Sequence, residues 1–291
     1  MDSSPSAHND GKESSGGVPR PPTDVFLHNA VHLSACLGVA PRPPGAVFLT
    51  AVFFGGLFLW TALYLPLAVP VWLLLTRAGG VSSANAVRRL VHCYGRVCCK
   101  LLARLTPVTV ENLAGALPAP CIIAANHQSF FDPYCIGFFP VPYPVFVVRA
   151  WPFRIPLYGR IMRRAGYLNI ESMDAESFLR KAADILHRDK AMLVVFPEGT
   201  RSADGKPGRF RSGAFRLAVD RNIPVVPLCI KGTGNVFPKG SRFGRPAPVR
   251  VTLLPPLYPE RFACYGESAR LHLRRSVKHA IREALQERPH C

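Results

Sequence analysis

The chain has 291 residues, room for one large or two small domains with a real core, which excludes a short disulfide-stapled scaffold. Hydrophobic residues make up 48% and charged residues 19%, against ~25% charged in an average soluble domain, so wholesale disorder is excluded and the balance leans toward contact with lipid. The 36 Lys and Arg against 18 Asp and Glu leave a net charge of +18, which calls for an anionic partner: nucleic acid, an acidic bilayer surface or a phosphorylated substrate.

Residues 1–44 are rich in Ser, Gly and Pro and hold three basic and four acidic side chains, so a flexible polar tail is expected there and the positive excess lies beyond it. Between Arg42 and Arg77 run 34 residues without a single charge. A membrane-crossing helix needs ~20 such residues, which makes this run one span, tilted and kinked at Pro66 and Pro70, or a re-entrant segment dipping into one leaflet. The run starts too late and is too long for a signal peptide.

From Arg77 to Arg104 there are six basic side chains (Arg77, Arg88, Arg89, Arg96, Lys100, Arg104) and no acid, which puts this flank on the cytoplasmic side. Val87, Leu90, Val91, Tyr94, Val97, Cys98, Leu101, Leu102 and Leu105 recur every three or four positions, the pattern of an amphipathic helix lying at an anionic surface. The competing reading is an ordinary helix packed on the core with a solvated basic face. Residues 45–105 are therefore expected to form a membrane-embedded helix plus a basic interfacial helix. Cys93, Cys98 and Cys99 sit in the same helical pattern and not at metal-ligand spacing, so the nine cysteines read as reduced thiols and no metal site is expected.

Beyond Leu105, short apolar, β-branched runs alternate with helical segments over residues 106–291. Strands are expected at 119–126, 143–149, 191–196, 223–230 and 249–256, and helices at 153–165, 175–187, 212–221 and 266–286. The fold class is α/β, a largely parallel central sheet flanked by helices, preceded by the membrane-embedded helical segment.

Two constellations carry chemistry. In Asn126-His127-Gln128-Ser129-Phe130-Phe131-Asp132-Pro133, positions five apart on one helix diverge by ~140°, so His127 and Asp132 meet only if a strand runs out into a tight loop. Such a pair suits general-base chemistry on a hydroxyl, because a carboxylate on one ring nitrogen fixes the tautomer and supports the imidazolium. The alternative is a His held by backbone and an Asp that caps a helix. In Phe196-Pro197-Glu198-Gly199-Thr200-Arg201-Ser202, after a strand, Gly199 lets backbone approach a substrate closely and Arg201 offers a planar fork for a phosphate. The alternative there is a turn closed by a Glu198–Arg201 ion pair.

With the apolar segment ahead of them, these motifs resemble the phospholipid and glycerolipid acyltransferase family, typified by 1-acylglycerol-3-phosphate acyltransferases. The resemblance runs from Arg88 to Leu257 through NHQSFFD, FVVRAWPFRIPLYGRIMRRAGYLNIE, FPEGTRS with GRFRSGAF, and IPVVPLCIKGT. It implies transfer of an acyl chain from a thioester of coenzyme A or acyl carrier protein to a hydroxyl of a membrane lipid, with no cofactor, metal or covalent enzyme intermediate. His127 matches the family's base and Asp132 its orienting carboxylate. Glu198, Gly199, Thr200 and Arg201 match the acceptor-binding motif, with Asn126, Ser129 and Arg149 as further substrate contacts; Pro224 and Pro227 match positions on the acyl-donor side.

One block departs from the family. The second motif commonly ends in Asp-Arg, its arginine holding glycerol phosphate, whereas this chain has Glu171-Ser172. Arg149, Arg163 and Arg164 are the candidates to replace it, and another lysolipid or an amino-acid-containing lipid stands as an alternative acceptor. The rivals from other classes are a hydrolase, for which the chain lacks a G-x-S-x-G elbow, a nucleic-acid-binding protein, for which it lacks a recognisable motif, and a membrane-tethered non-catalytic protein. No nucleic-acid partner is expected, and the sequence sets no oligomeric state.

Overall fold

The computed structural model describes residues 44–241 and 244–287. The tail expected over residues 1–44 thus lies, except for Pro44, outside the described residues. Two helices come first, α1 (Pro44–Arg77) and α2 (Ser83–Leu105). Seven strands follow: β1 (Val108–Asn112), β2 (Cys121–Ala125), β3 (Pro144–Val148), β4 (Leu168–Asn169), β5 (Met192–Val195), β6 (Val225–Lys231) and β7 (Val249–Leu253). Between and after them come α3 (Tyr158–Arg164), α4 (Ala175–Asp189), α5 (Gly213–Asp220), the short α6 (Thr233–Val236) and α7 (Ala269–Gln286), with a 3-10 helix at Asp132–Phe138.

All seven strands join one sheet in the order β1-β7-β6-β2-β5-β3-β4. Every neighbouring pair is parallel except β6–β7, which runs antiparallel with Leu228 opposite Leu253. The central strands β2 and β5 are buried along their whole length, the condition under which strands read as unbroken apolar runs. Alternate residues serve two cores. Ile122, Ala124, Leu193 and Val195 face α4, α5 and α7, while Cys121, Ile123, Met192 and Val194 face α2 and the 3-10 helix.

The five expected strands and three of the four expected helices are present within a few residues. The helix expected at 153–165 is split into a 3-10 turn at Trp151–Arg154 and α3. Pro156 has no N–H to donate and Leu157 adopts φ 61°, which breaks the helical path. The chain folds back so tightly that a side chain at Gly159 would meet the Phe153 carbonyl oxygen at 2.1 Å. Strands β1 and β4 were not expected.

Within α1 the stretch Gly45–Arg77 is long and apolar enough to cross a membrane by length and composition, its most apolar 18 residues having a mean hydropathy of 2.1. Its first turns dock on the domain: Leu49 and Phe53 are buried, with the Phe53 ring 5.7 Å from Phe131 and 5.0 Å from Phe237. Further along, Thr61 Oγ1 and Tyr94 Oη share a hydrogen bond of 2.8 Å and Tyr64 Oη donates to the Leu90 carbonyl at 2.7 Å, tying α1 to α2. Phe48, Phe58, Leu59, Leu67 and Leu74 remain exposed along α1.

Helix α2 is amphipathic as expected, but its apolar stripe is a core face, with Cys98, Cys99 and Leu102 buried against the 3-10 helix and the sheet. The contact is close: a side chain at Gly137 would sit 2.8 Å from the Arg96 backbone nitrogen. Arg88, counted among the surface cations in the sequence, is only 1% exposed; it donates to the Ala165 carbonyl and the Asn85 side chain and pairs with Asp189 at 2.7 Å. A buried guanidinium needs such partners to offset its desolvation. Arg89, Arg96, Lys100 and Arg104 are the cations that α2 leaves exposed.

Candidate active site

Strand β2 ends at Ala125, and the chain turns over His127–Phe131 into the 3-10 helix that starts at Asp132. His127 Nδ1 lies 2.7 Å from Asp132 Oδ2. The same oxygen accepts the backbone N–H groups of Gln128 at 2.6 Å and Ser129 at 2.8 Å, while Oδ1 accepts the Thr233 hydroxyl at 2.6 Å. Asp132 is wholly buried, so these donors are what offset removing its charge from water. It is the first residue of its helix, with Phe131 at the cap position; its carboxylate reaches back to the loop instead of capping its own helix. With Nδ1 donating to Asp132, the other ring nitrogen of His127 is the one left to accept a proton.

The FPEGTR loop is bolted to this turn at two points. Glu198 Oε1 accepts the His127 N–H at 2.9 Å, and the Ser202 N–H donates to the His127 carbonyl at 2.7 Å. Glu198 Oε2 accepts the Gly208 N–H at 2.8 Å. Burial pushes the Glu198 carboxyl up from its ordinary value, opposed by those two N–H donors and by His127 and Lys278 nearby. Gly199 has φ 72°, and a side chain there would meet Arg211 Nε at 2.9 Å, two reasons for glycine. The Phe196 ring lies 4.5 Å from that of His127.

His127, Gly199, Thr200 and Arg201 line one cavity of about 2160 Å³, together with Arg149 and Arg164. Other expected contacts are turned away from it. Asn126 is buried, its amide donating to the Ile230 carbonyl at 2.8 Å and accepting the Ile230 N–H at 2.8 Å, so it locks β2 to β6 and has no free end for a substrate. Ser129 is wholly buried, its hydroxyl 3.3 Å from the Phe237 carbonyl. Glu198 is spent on backbone N–H groups, and no Glu198–Arg201 ion pair forms. The Gly199 N–H, a candidate donor to a developing oxyanion, is taken by the Phe196 carbonyl at 3.0 Å, which leaves the Thr200 N–H for that role.

The departure in the second motif has a structural counterpart. Glu171 accepts from Arg149 Nε at 2.6 Å and from the Ala150 N–H at 2.8 Å, so Arg149 reaches the cavity with its charge already countered. Arg164 lies over the Trp72 ring at 4.6 Å, and Arg163 donates to the Phe153 carbonyl at 2.9 Å.

Sequence reasoning assigned no role to Thr233 or Gln128. Gln128 accepts the Gly232 N–H at 3.1 Å and donates to the Gly205 carbonyl at 3.0 Å. Both residues act between segments about a hundred positions apart. The only signal was the hydroxyl just past the end of strand β6.

A family model described as Acyltransferase matches residues 107–231. A 1-acyl-sn-glycerol-3-phosphate acyltransferase of Chlamydomonas reinhardtii is 31% identical over 233 residues, covering 77% of this chain and 68% of the relative. The chain belongs to the glycerolipid acyltransferase family of 1-acylglycerol-3-phosphate acyltransferase type. A chloroplast member from Brassica napus is 34% identical over 172 residues, 58% of this chain, and there the match spans only about half of the relative, 49%. The crystal structure of the 1-acyl-sn-glycerophosphate acyltransferase of Thermotoga maritima superposes with TM-score 0.68 at 26% identity, covering 84% of this chain and 97% of that one. The family fold and the mostly parallel sheet thus agree.

Proposed function

We propose that the protein is a membrane-bound O-acyltransferase that moves a fatty acyl chain from an acyl thioester to the free hydroxyl of 1-acylglycerol 3-phosphate, giving phosphatidic acid, with its catalytic domain on the cytoplasmic face. The observation that carries this reading is the buried, fully hydrogen-bonded Asp132 holding His127 at a cavity shared with Thr200 and Arg201. Relatives named for this reaction support it.

In this reading His127 takes the proton of the acceptor hydroxyl as that oxygen attacks the thioester carbonyl. The tetrahedral oxyanion, met by the Thr200 N–H, collapses with loss of the thiol, which takes the proton back from the imidazolium. General-base help contributes ~10²–10⁴ in rate. Arg201 binds the acceptor phosphate. A second acceptor class, another lysolipid or an amino-acid-containing lipid, is favoured by one observation: Glu171 holds Arg149 in an ion pair at the place where a phosphate-binding arginine was sought.

The test is acyl transfer by the purified protein across a panel of lysolipids. Phosphatidic acid from 1-acylglycerol 3-phosphate as the fastest product supports the reading. Faster product from an acceptor without a phosphomonoester would replace it with the second. Arg201→Ala is expected to raise the KM for the phosphorylated acceptor by about tenfold while sparing the KM for the donor.

A further inference from the structure

The exposed side chains that border the His127 cavity fall into two groups. One is polar, with Thr200, Arg211 and Arg270, and the half-buried Arg274 lines the cavity with them. The other is apolar: Val69 on α1, and Trp151, Ile155, Leu157 and Tyr158 on the segment that leads into α3. Trp151 is 62% and Leu157 51% exposed.

Single exposed apolar residues are ordinary, but four within eight positions make a patch. Slack chain does not explain it. Pro152 is buried, Leu157 is held at φ 61°, where a leucine is rarely found, and Gly159 has no room for a side chain against the Phe153 carbonyl. Strain of this kind persists only where the surrounding structure imposes it, and here it holds an apolar side chain in the open.

The neighbours of the patch point to one occupant. Helix α3 has seven residues and is about 10 Å long, and its last residue, Arg164, lies over Trp72 of α1 at 4.6 Å and donates to Ser83 Oγ at 3.2 Å. The segment therefore stands beside the last turns of α1, where Leu67, Val71 and Leu74 are exposed as well. No acidic residue occurs between Arg149 and Glu171, while Arg154, Arg160, Arg163 and Arg164 are exposed. Trp and Tyr around an aliphatic tip, flanked by arginines, are the composition of an element seated at a bilayer interface. A protein partner or a second copy of the chain would also cover apolar residues, but cations without an acid among them, next to a long apolar helix, favour anionic lipid.

We infer that residues 151–158 dip into the bilayer beside α1, and that the cavity border the two share is the door through which a lipid's acyl chain passes from the membrane to His127. A lysolipid entering there keeps its chain in apolar surroundings throughout. The inference rests on the acyl-transfer reading for what the door admits, but the depth of the segment is measurable without turnover.

The experiment reconstitutes the full chain in bilayers of phosphatidylglycerol with brominated acyl chains. Emission from Trp151 is read as the part lost in Trp151→Phe, since Trp60 and Trp72 lie on α1. That part is expected to be quenched by the bromines and shielded from acrylamide, and to lose both properties in Ile155→Gln/Leu157→Asn. Asparagine accepts a positive φ, so this variant keeps the turn. With a long-chain 1-acylglycerol 3-phosphate in the bilayer, the double variant is expected to show a KM about tenfold higher; with a short-chain acceptor dissolved in water its KM is expected to stay the same. Leu113→Gln, equally exposed but not lining the cavity, is the control and is expected to change neither. Bromine quenching of Trp151 in a chain that transfers no acyl group upholds the membrane seat, and the reaction reading alone falls. Trp151 open to acrylamide and untouched by bromine overturns the inference, as does shielding that appears only when the chain dimerises. Equal KM changes for the two acceptors overturn it too, because the segment would then hold substrate without admitting it.

Discussion

At the residue scale, four hydrogen bonds converge on one buried carboxylate, and each has a measurable consequence. Thr233→Val removes the only side-chain hydroxyl among them. The expected result is a kcat lower by about tenfold with both KM values kept, and recovery in Thr233→Ser, because the hydroxyl acts through Asp132 and touches no substrate. Equal loss in the serine variant would point to packing instead. Glu198 gives a pH signature. A carboxyl raised above its ordinary value binds more protons folded than unfolded just above pH 4.5, so stability falls as pH rises from there through the raised value. Glu198→Gln is expected to flatten that slope and, because its amide sets a donor against the His127 or the Gly208 N–H, to cost about 1–3 kcal/mol at pH 7. Thermal unfolding at stepped pH checks both.

At the element scale, α2 joins two jobs on opposite faces. Its buried face supports the 3-10 helix that carries Asp132, and its exposed face carries Arg89, Arg96, Lys100 and Arg104, which we propose meet an anionic membrane surface. Reversing these four charges to Glu is expected to weaken binding to anionic vesicles at low salt by at least the ~1 kcal/mol each cation contributes near such a surface. Unchanged co-sedimentation would remove the interfacial role. The sequence made β2, β5 and β6 legible because strands buried on both faces are written as apolar runs, whereas β1, with Thr109, Glu111 and Asn112 on an edge, and the two-residue β4 carry no such signature. The His127–Asp132 pair was legible because the loop that joins them is local. Arg88 was misread because periodicity cannot tell a solvated guanidinium from one paired with Asp189 a hundred residues later. Thr233, Arg270 and Arg274 reach the site only through the β2–β6 pairing and the packing of α7, which one sequence does not encode in any local pattern.

At the scale of the whole molecule, the excess positive charge noted at the outset is divided by position. Part is spent in ion pairs, buried at Arg88 and at the surface at Arg216, part lies on the exposed face of α2, and part lines the cavity. Nucleic acid is not needed to account for it. The central claim is that His127, oriented by Asp132, draws the proton from an acceptor hydroxyl and delivers the acyl chain to it, not to water. The most direct test follows thiol release from an acyl thioester with and without 1-acylglycerol 3-phosphate, for the native chain and for folded His127→Ala. The account predicts thiol release that requires the acceptor, matches phosphatidic acid one for one, and falls by ~10²–10⁴ in the variant. Equal release without acceptor, or an alanine variant as active as the native chain, would contradict it.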